Sequence, residues 1–253
     1  MGVFSWLNNV SLKYKFAALL LFFGVVPALG MYGLLLSLRP DMQKTSEQTM
    51  RRLSITMMDQ MERTMFERYG DVQAFALNAT AHDPANWRRP DPTNPLIVAM
   101  NAYAKAYGIY EMMLMVDKQG KVLAVNTKNA QGQDIKTQSV YELDFANVPW
   151  FKRAMAGDFT KSAKLTGTVV EQPTVSNMVA QINGDDGFVM TFAAPVYNSA
   201  GELIGVWANF ANFNFVEEIA EGTYNRIMAN GYRSAIVKVL GPNGEAGSGR
   251  AHV

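Results

Sequence analysis

The residues with chemistry to offer gather around one short stretch. Trp150 and Phe151 stand at the start of a short helix, directly after Pro149, and Lys152 follows them. Proline suits a first helical turn, where its missing N–H would have had no intrahelical partner. Asn147 or Asp144 is placed to cap the helix Pro149–Ala156. Trp150 presents a broad apolar wall with a single N–H donor. Lys152 and, further on, Lys164 can supply positive charge to an anionic ligand, while Asn209 offers both a donor and an acceptor to a neutral polar one. Tyr141 is expected to contribute from the preceding loop. Together these residues have the chemistry of reversible binding, although a Trp-Phe pair at a helix start packs a core as readily as it walls a ligand.

Catalytic constellations are missing from the sequence. The chain has no cysteine, which excludes disulfides, Cys-ligated zinc, Fe–S clusters and thiol nucleophiles. Its two histidines, His82 and His252, are too far apart for a sequence-local metal motif. There is no G-x-S-x-G, no H-E-x-x-H and no phosphate loop. Asp185-Asp186 lies within Asn183-Gly184-Asp185-Asp186-Gly187, a turn sequence. No enzyme activity, cofactor or metal is expected. Lys and Arg number 23 against 22 Asp and Glu, a net +1, with no basic block. Nucleic acid is therefore not an expected partner.

The elements that would position these residues begin with a membrane anchor. Phe16–Leu38 is uncharged throughout, and about 20 helical residues cross a bilayer. A cleaved signal peptide would use Ala28-Leu29-Gly30, but the apolar run continues past that point through Leu36, favouring an uncleaved span. Lys13 and Lys15 precede the span with no acidic residue, which holds residues 1–15 in the cytoplasm and exports the chain beyond Arg39. A bacterial cell membrane with the chain beyond Arg39 outside the cytoplasm is the expected setting. From Met50 through Leu53, Met57, Met61, Met65, Tyr69 and Val72 to Ala76, apolar or small residues recur every three or four positions. That period predicts a long exported helix over 39–79, which with the span forms one nearly continuous rod from Phe16 to Asn78, bent at Pro27 and Pro40 where backbone donors are lost. Its Met-rich stripe must be buried, either in its own domain or against a second subunit, and a homodimer through this helix is expected.

Beyond it, 80–214 reads as a compact α+β module. His82–Asn94 is a Pro-rich surface loop and Pro95–Ala106 a helix. Strands are predicted at Glu111–Val116, Lys121–Asn126, Thr174–Ile182, Phe188–Tyr197 and Glu202–Phe210, joined by glycine turns. The helix at Phe215–Ala229 opens a connecting segment, 215–231. Met112–Ala124 is echoed by Ile236–Ser248, with Gly120 and Gly244 in register. The echo predicts that 232–253 starts a second module, cut short, and that the chain is the N-terminal portion of a longer protein.

This layout resembles the double-Cache, PAS-like sensor region of bacterial methyl-accepting chemotaxis proteins. Asp144–Ala154 is similar to the family's D-x-x-x-R-P-W-Y-x-x-A ligand segment, and Phe188–Asn209 to its closing strands, a-x-P-V-y-d-x-x-G-x-x-x-G-V-x-x-x-D. The resemblance covers essentially the whole chain. It implies an antiparallel-sheet sensor that binds a small molecule, passes a conformational shift across the membrane and acts on cytoplasmic signalling partners through a missing C-terminal part. Such modules also serve histidine kinases and nucleotide cyclases. Trp150 and Phe151 take the places of the W-Y pair, Phe151 lacking the hydroxyl. Val148 stands where amino-acid receptors have a carboxylate-binding arginine, and Asn209 where they have the aspartate that holds the ammonium group. Losing both charges argues against an α-amino acid held in the usual way, since a buried zwitterion needs opposite charges to offset its desolvation. A small polar or anionic ligand is expected instead.

Overall fold

A computed structural model describes residues 11–162 and 164–229. The predicted second module at 232–253 and most of the N-terminal segment lie outside them. Helix α1 is Leu12–Leu20, followed by a π-helical turn at Leu21–Val25 and then α2, Val26–Ala76. The chain divides into two compact units, 1–56 and 57–253. In the first, Leu12–Leu38 is long and apolar enough to cross a membrane, with a mean hydropathy of 2.2 and no buried residue in that window. The π turn sits just ahead of Pro27 and widens the ladder, so that Val26 N–H donates to Leu21 O. Pro27 has no N–H for the carbonyl of Phe23 and its ring crowds that oxygen, which explains a wider turn there. At Pro40 the helix assignment is continuous.

The second unit is built on a six-stranded antiparallel sheet. Its remaining elements are α3 Pro95–Tyr107, β1 Tyr110–Asp117, β2 Val122–Val125, α4 Pro149–Ala156, β3 Val169–Val170, β4 Thr174–Val175, α5 Asn177–Asn183, β5 Phe188–Tyr197, β6 Leu203–Asn212 and α6 Asn214–Ala229. The strands run in the order β2-β1-β6-β5-β3, with β4 also paired to β5. Alternation along the strands divides the core into two layers. On one face Met113, Phe192 and Trp207 pack with Val72 and Phe75 of α2 and with Leu96 and Met100 of α3. On the other face Met112, Leu114, Ala208 and Phe210 pack with α4 and the segment before it. The fold is therefore α+β, as the sequence implied.

One difference from the sequence reading stands out. Thr174–Ile182 is not one strand: β4 takes two residues and α5 the rest. Ser176 explains the switch, because its hydroxyl accepts from Val179 N–H (3.3 Å) and caps a helix that buries Val179 and Ile182, three residues apart. Gly184, at φ 77°, then closes that helix in a conformation other residues adopt only at a cost. The Met-rich stripe of α2 takes the first of its two expected burials, within its own unit, since Met57 and Met61 pack on Phe215, Val216 and Ile219 of α6. Met58 and Phe66 remain exposed.

Candidate functional site

Helix α4 lies over the sheet as an aromatic lid. Trp150 and Phe151 are 4% and 5% exposed, so both face inward. The Trp150 ring sits 5.6 Å from Phe145, 6.1 Å from Phe151 and 6.3 Å from Phe210 of β6, the last two edge-on. Edge-to-face contacts of this kind add roughly 0.5–1.5 kcal/mol each beyond burial. Two tethers fix the lid. At its leading end Phe145 N–H donates to Gly120 O at 2.9 Å, and Lys121 Nζ lies 2.8 Å from Asp144 Oδ2. The Lys121 ammonium holds the Asp144 carboxyl below its ordinary range. Near its trailing end Arg153 Nε donates to Asp158 Oδ2 (3.0 Å), with its guanidinium also reaching Thr160 Oγ1 and Val170 O. The helix begins at Val148 without a side-chain cap. Neither expected cap is made: Asp144 instead accepts from Ala146 N–H while pairing with Lys121.

Tyr141 shares this layer. Its side chain is buried with Val140, Phe145 and Trp150, and its hydroxyl has no hydrogen-bond partner among the described residues. Burial pushes the phenol up to about 12, and the Val125 backbone, near but outside hydrogen-bonding geometry, offsets part of this. A buried hydroxyl left unpaired costs about 1–3 kcal/mol, so a polar atom placed against it would recover that cost.

The other expected residues fall elsewhere. Lys152 points to solvent from α4. Lys164 is exposed and lines a separate cleft whose floor, Met190 and Phe192, belongs to the α2 side of the sheet region. Asn209 is also on that side: it pairs across the ladder with Met113 and Phe192, and its Oδ1 accepts from Trp207 Nε1 at 2.8 Å. Trp150 and Asn209 are therefore on opposite faces. The reason is parity, since a one-residue slip along a strand moves a side chain through the sheet. Counted from Gly205-Val206, the aspartate of the family pattern falls on Phe210, and Phe210 is what meets Trp150. The structure thus assembles Tyr141, Trp150 and Phe151, replaces Asn209 by Phe210, and leaves both lysines outside.

A polar cluster on the α2 side had no counterpart in the sequence reading. Tyr110 Oη donates to Asp71 Oδ2 (2.7 Å), and Arg68 Nε lies 2.8 Å from the same oxygen while its guanidinium sits over the Tyr107 and Tyr110 rings. Burial, and then the Asp71 charge, raises the Tyr110 phenol far above its ordinary range. Helical spacing of Arg68 and Asp71 could have signalled the ion pair, but nothing local connects it to Tyr110. Among the described residues no group of three or more His, Asp or Glu could hold a metal ion.

No protein-family model matches the chain, and no curated protein matches it. Solved structures of sensory domains are similar to it. The ligand-binding domain of the Pseudomonas aeruginosa PAO1 amino acid chemoreceptor PctC, in complex with GABA, is 16% identical over 66% of this chain and 61% of that one, with a TM-score of 0.44. The sensory domain of the Campylobacter jejuni chemoreceptor Tlp3 is 14% identical over 70% of this chain and 64% of that one, with a TM-score of 0.49. The sensor domain of the V. cholerae histidine kinase DctB is 15% identical over 70% and 59%, with a TM-score of 0.46. The match spans about three fifths of the length of each of these domains. These neighbours are sensory domains of chemoreceptors and of a histidine kinase, the classes of receptor that the sequence layout resembles.

Proposed function

We propose that the chain is the ligand-sensing portion of a transmembrane receptor of the chemotaxis type, which takes a small polar molecule between α4 and the sheet. The observation that carries this reading is the Tyr141 hydroxyl, buried and unpartnered in the aromatic layer beneath α4. A helix long and apolar enough to cross a membrane, and α2 packed on the reverse face of the sheet, agree with a signalling role. Strand β6 connects the two faces, because Phe210 meets Trp150 while Asn209 and Trp207 face α2. A ligand that fits one position of α4 better than another would shift β6 and, through it, the packing on α2. The coupling is limited to the ligand's differential affinity for the two states.

The test is a thermal-shift screen of small polar and anionic metabolites on the whole chain in detergent, followed by Tyr141→Phe. Removing an unpaired buried hydroxyl should leave stability unchanged or slightly higher. Affinity for any hit should drop about tenfold, the loss of roughly 1.4 kcal/mol of hydrogen bonding. Hits whose affinity is indifferent to Tyr141→Phe would place recognition elsewhere.

A further inference from the structure

The sheet lies between α4 and α2, and β3 stands at one end of it, where the chain passes from one face to the other. Phe159, three residues beyond α4, packs in the α4 layer. Its neighbour Thr160 is bonded to α2, since Thr160 O accepts from Tyr69 Oη at 2.9 Å. Thr160 N–H donates to Thr168 O (2.9 Å), which closes a stem whose second arm is also held by α2. Thr168 Oγ1 donates to Tyr69 O (2.7 Å), and Gln73 Nε2 donates both to Thr168 Oγ1 (2.9 Å) and to Thr166 O (3.0 Å). Tyr69 and Gln73 are four residues apart, so both present from one face of α2. Thr168 is fully buried and Tyr69 nearly so, and opening the stem would leave their polar groups without partners.

Arg153 secures the α4 end of this connection. Its Nε donates to Asp158 Oδ2 (3.0 Å) and Asp158 N–H donates back to Arg153 O (2.9 Å), so the residues leading from α4 to Thr160 are folded onto the end of the helix. Longer, weaker contacts run from Arg153 Nη2 to Thr160 Oγ1 (3.4 Å) and from Nη1 to Val170 O (3.5 Å). Thr160 Oγ1 also accepts from Val170 N–H at 2.8 Å, which joins the stem to β3. This edge resists displacement less than the middle of the sheet does. Strand β6 is paired along its length to β1 and β5, whereas β3 pairs with β5 through Val169 and Val170.

We infer that the Thr160–Thr168 stem is a latch that ties α4 to α2 around the edge of the sheet, by a route additional to β6. Release of the α4 end loosens the turn of α2 that carries Tyr69 and Gln73, and release of Tyr69 loosens α4, because coupling between two sites is reciprocal. The inference rests on the reading of α4 as the element that moves over a ligand, and it names what carries that movement to α2.

The test is amide hydrogen exchange of the whole chain in detergent with no ligand added, which reports local opening segment by segment. It gives an answer whether or not a compound binds beneath α4; failure of that reading would appear in the metabolite screen instead. Arg153→Met, which keeps the aliphatic stem, should speed exchange severalfold in 66–76 of α2 and leave the β1–β2 hairpin, 110–125, as it is. Tyr69→Phe, which keeps the ring and removes the bond to Thr160, should speed exchange in 149–156 on the opposite face. Lys121→Met frees only the leading end of α4 and should leave 66–76 unchanged. Unaltered exchange in 66–76 for Arg153→Met, or in 149–156 for Tyr69→Phe, would overturn the assignment. An equal rise across 110–125, the mark of general destabilisation, would also overturn it, as would an equal effect of Lys121→Met, the mark of coupling through the sheet alone.

Discussion

At the scale of single residues, burial decides what a substitution can report. Trp150 touches three aromatic rings and is almost wholly enclosed, so Trp150→Ala should cost about 3–5 kcal/mol, seen as a lower urea midpoint, and would abolish binding for reasons unrelated to recognition. Tyr141→Phe is the informative change at this site. Glu111 supplies a pH test. Burial raises its carboxyl despite the hydrogen bond it accepts from Asn212 Nδ2 at 2.7 Å. Between its ordinary and its raised value the folded protein holds a proton that the unfolded chain has released, so stability falls as pH rises through that window. Glu111→Gln should flatten this fall, and melting temperatures of the two proteins from pH 4 to 7 would show their difference widening upward. Residue types were legible in the sequence, but partnership was not. Trp150 and Phe151 could be singled out from their position after Pro149, and counting from Gly205-Val206 already puts the pattern's aspartate at Phe210 and not at Asn209; what the sequence leaves open is which face of the sheet each occupies, which the ladder settles.

At the scale of elements, the hairpin tip is what holds α4 in place. Gly120 has φ 80°, and a side chain there would run into the backbone of Phe145 and Ala146, which lead into α4. Gly120→Ala should therefore destabilise the chain by about 1–3 kcal/mol and loosen α4, measurable as faster amide exchange across Pro149–Ala156. An unaffected α4 would show that the Lys121–Asp144 and Arg153–Asp158 pairs suffice. Long periodic segments were readable in advance: α2 from its three-and-four spacing, and the β1–β2 hairpin and β5–β6 pair from glycine turns between apolar runs. The segment at Thr174–Ile182 was not, because its β-branched residues favour a strand while the Ser176 cap favours a helix, and the cap wins over only seven residues. The two-residue strands β3 and β4 carry no period at all, and only the β5 edge defines them.

At the scale of the whole molecule, the proposed receptor would combine a helix long and apolar enough to cross a membrane with a two-faced sheet, and would associate as a homodimer through its long helix. Since Met57 and Met61 are taken up by α6, a dimer through α2 would use its exposed side, where Met58 is 58% exposed. The cysteine-free chain makes this simple to examine. Met58→Cys should give an oxidant-dependent linked dimer in membranes and Leu77→Cys, just past the end of α2, a much weaker one; equal linkage at both, or none, would argue against association through the helix. The claim at the centre is that a ligand beneath α4 alters the packing of α2 on the reverse face. Hydrogen–deuterium exchange of the whole chain, with and without a compound whose binding requires the Tyr141 hydroxyl, tests it most directly. Changed exchange is expected both in 138–156 and in 57–76 of α2. A change confined to 138–156, with α2 untouched, would contradict it.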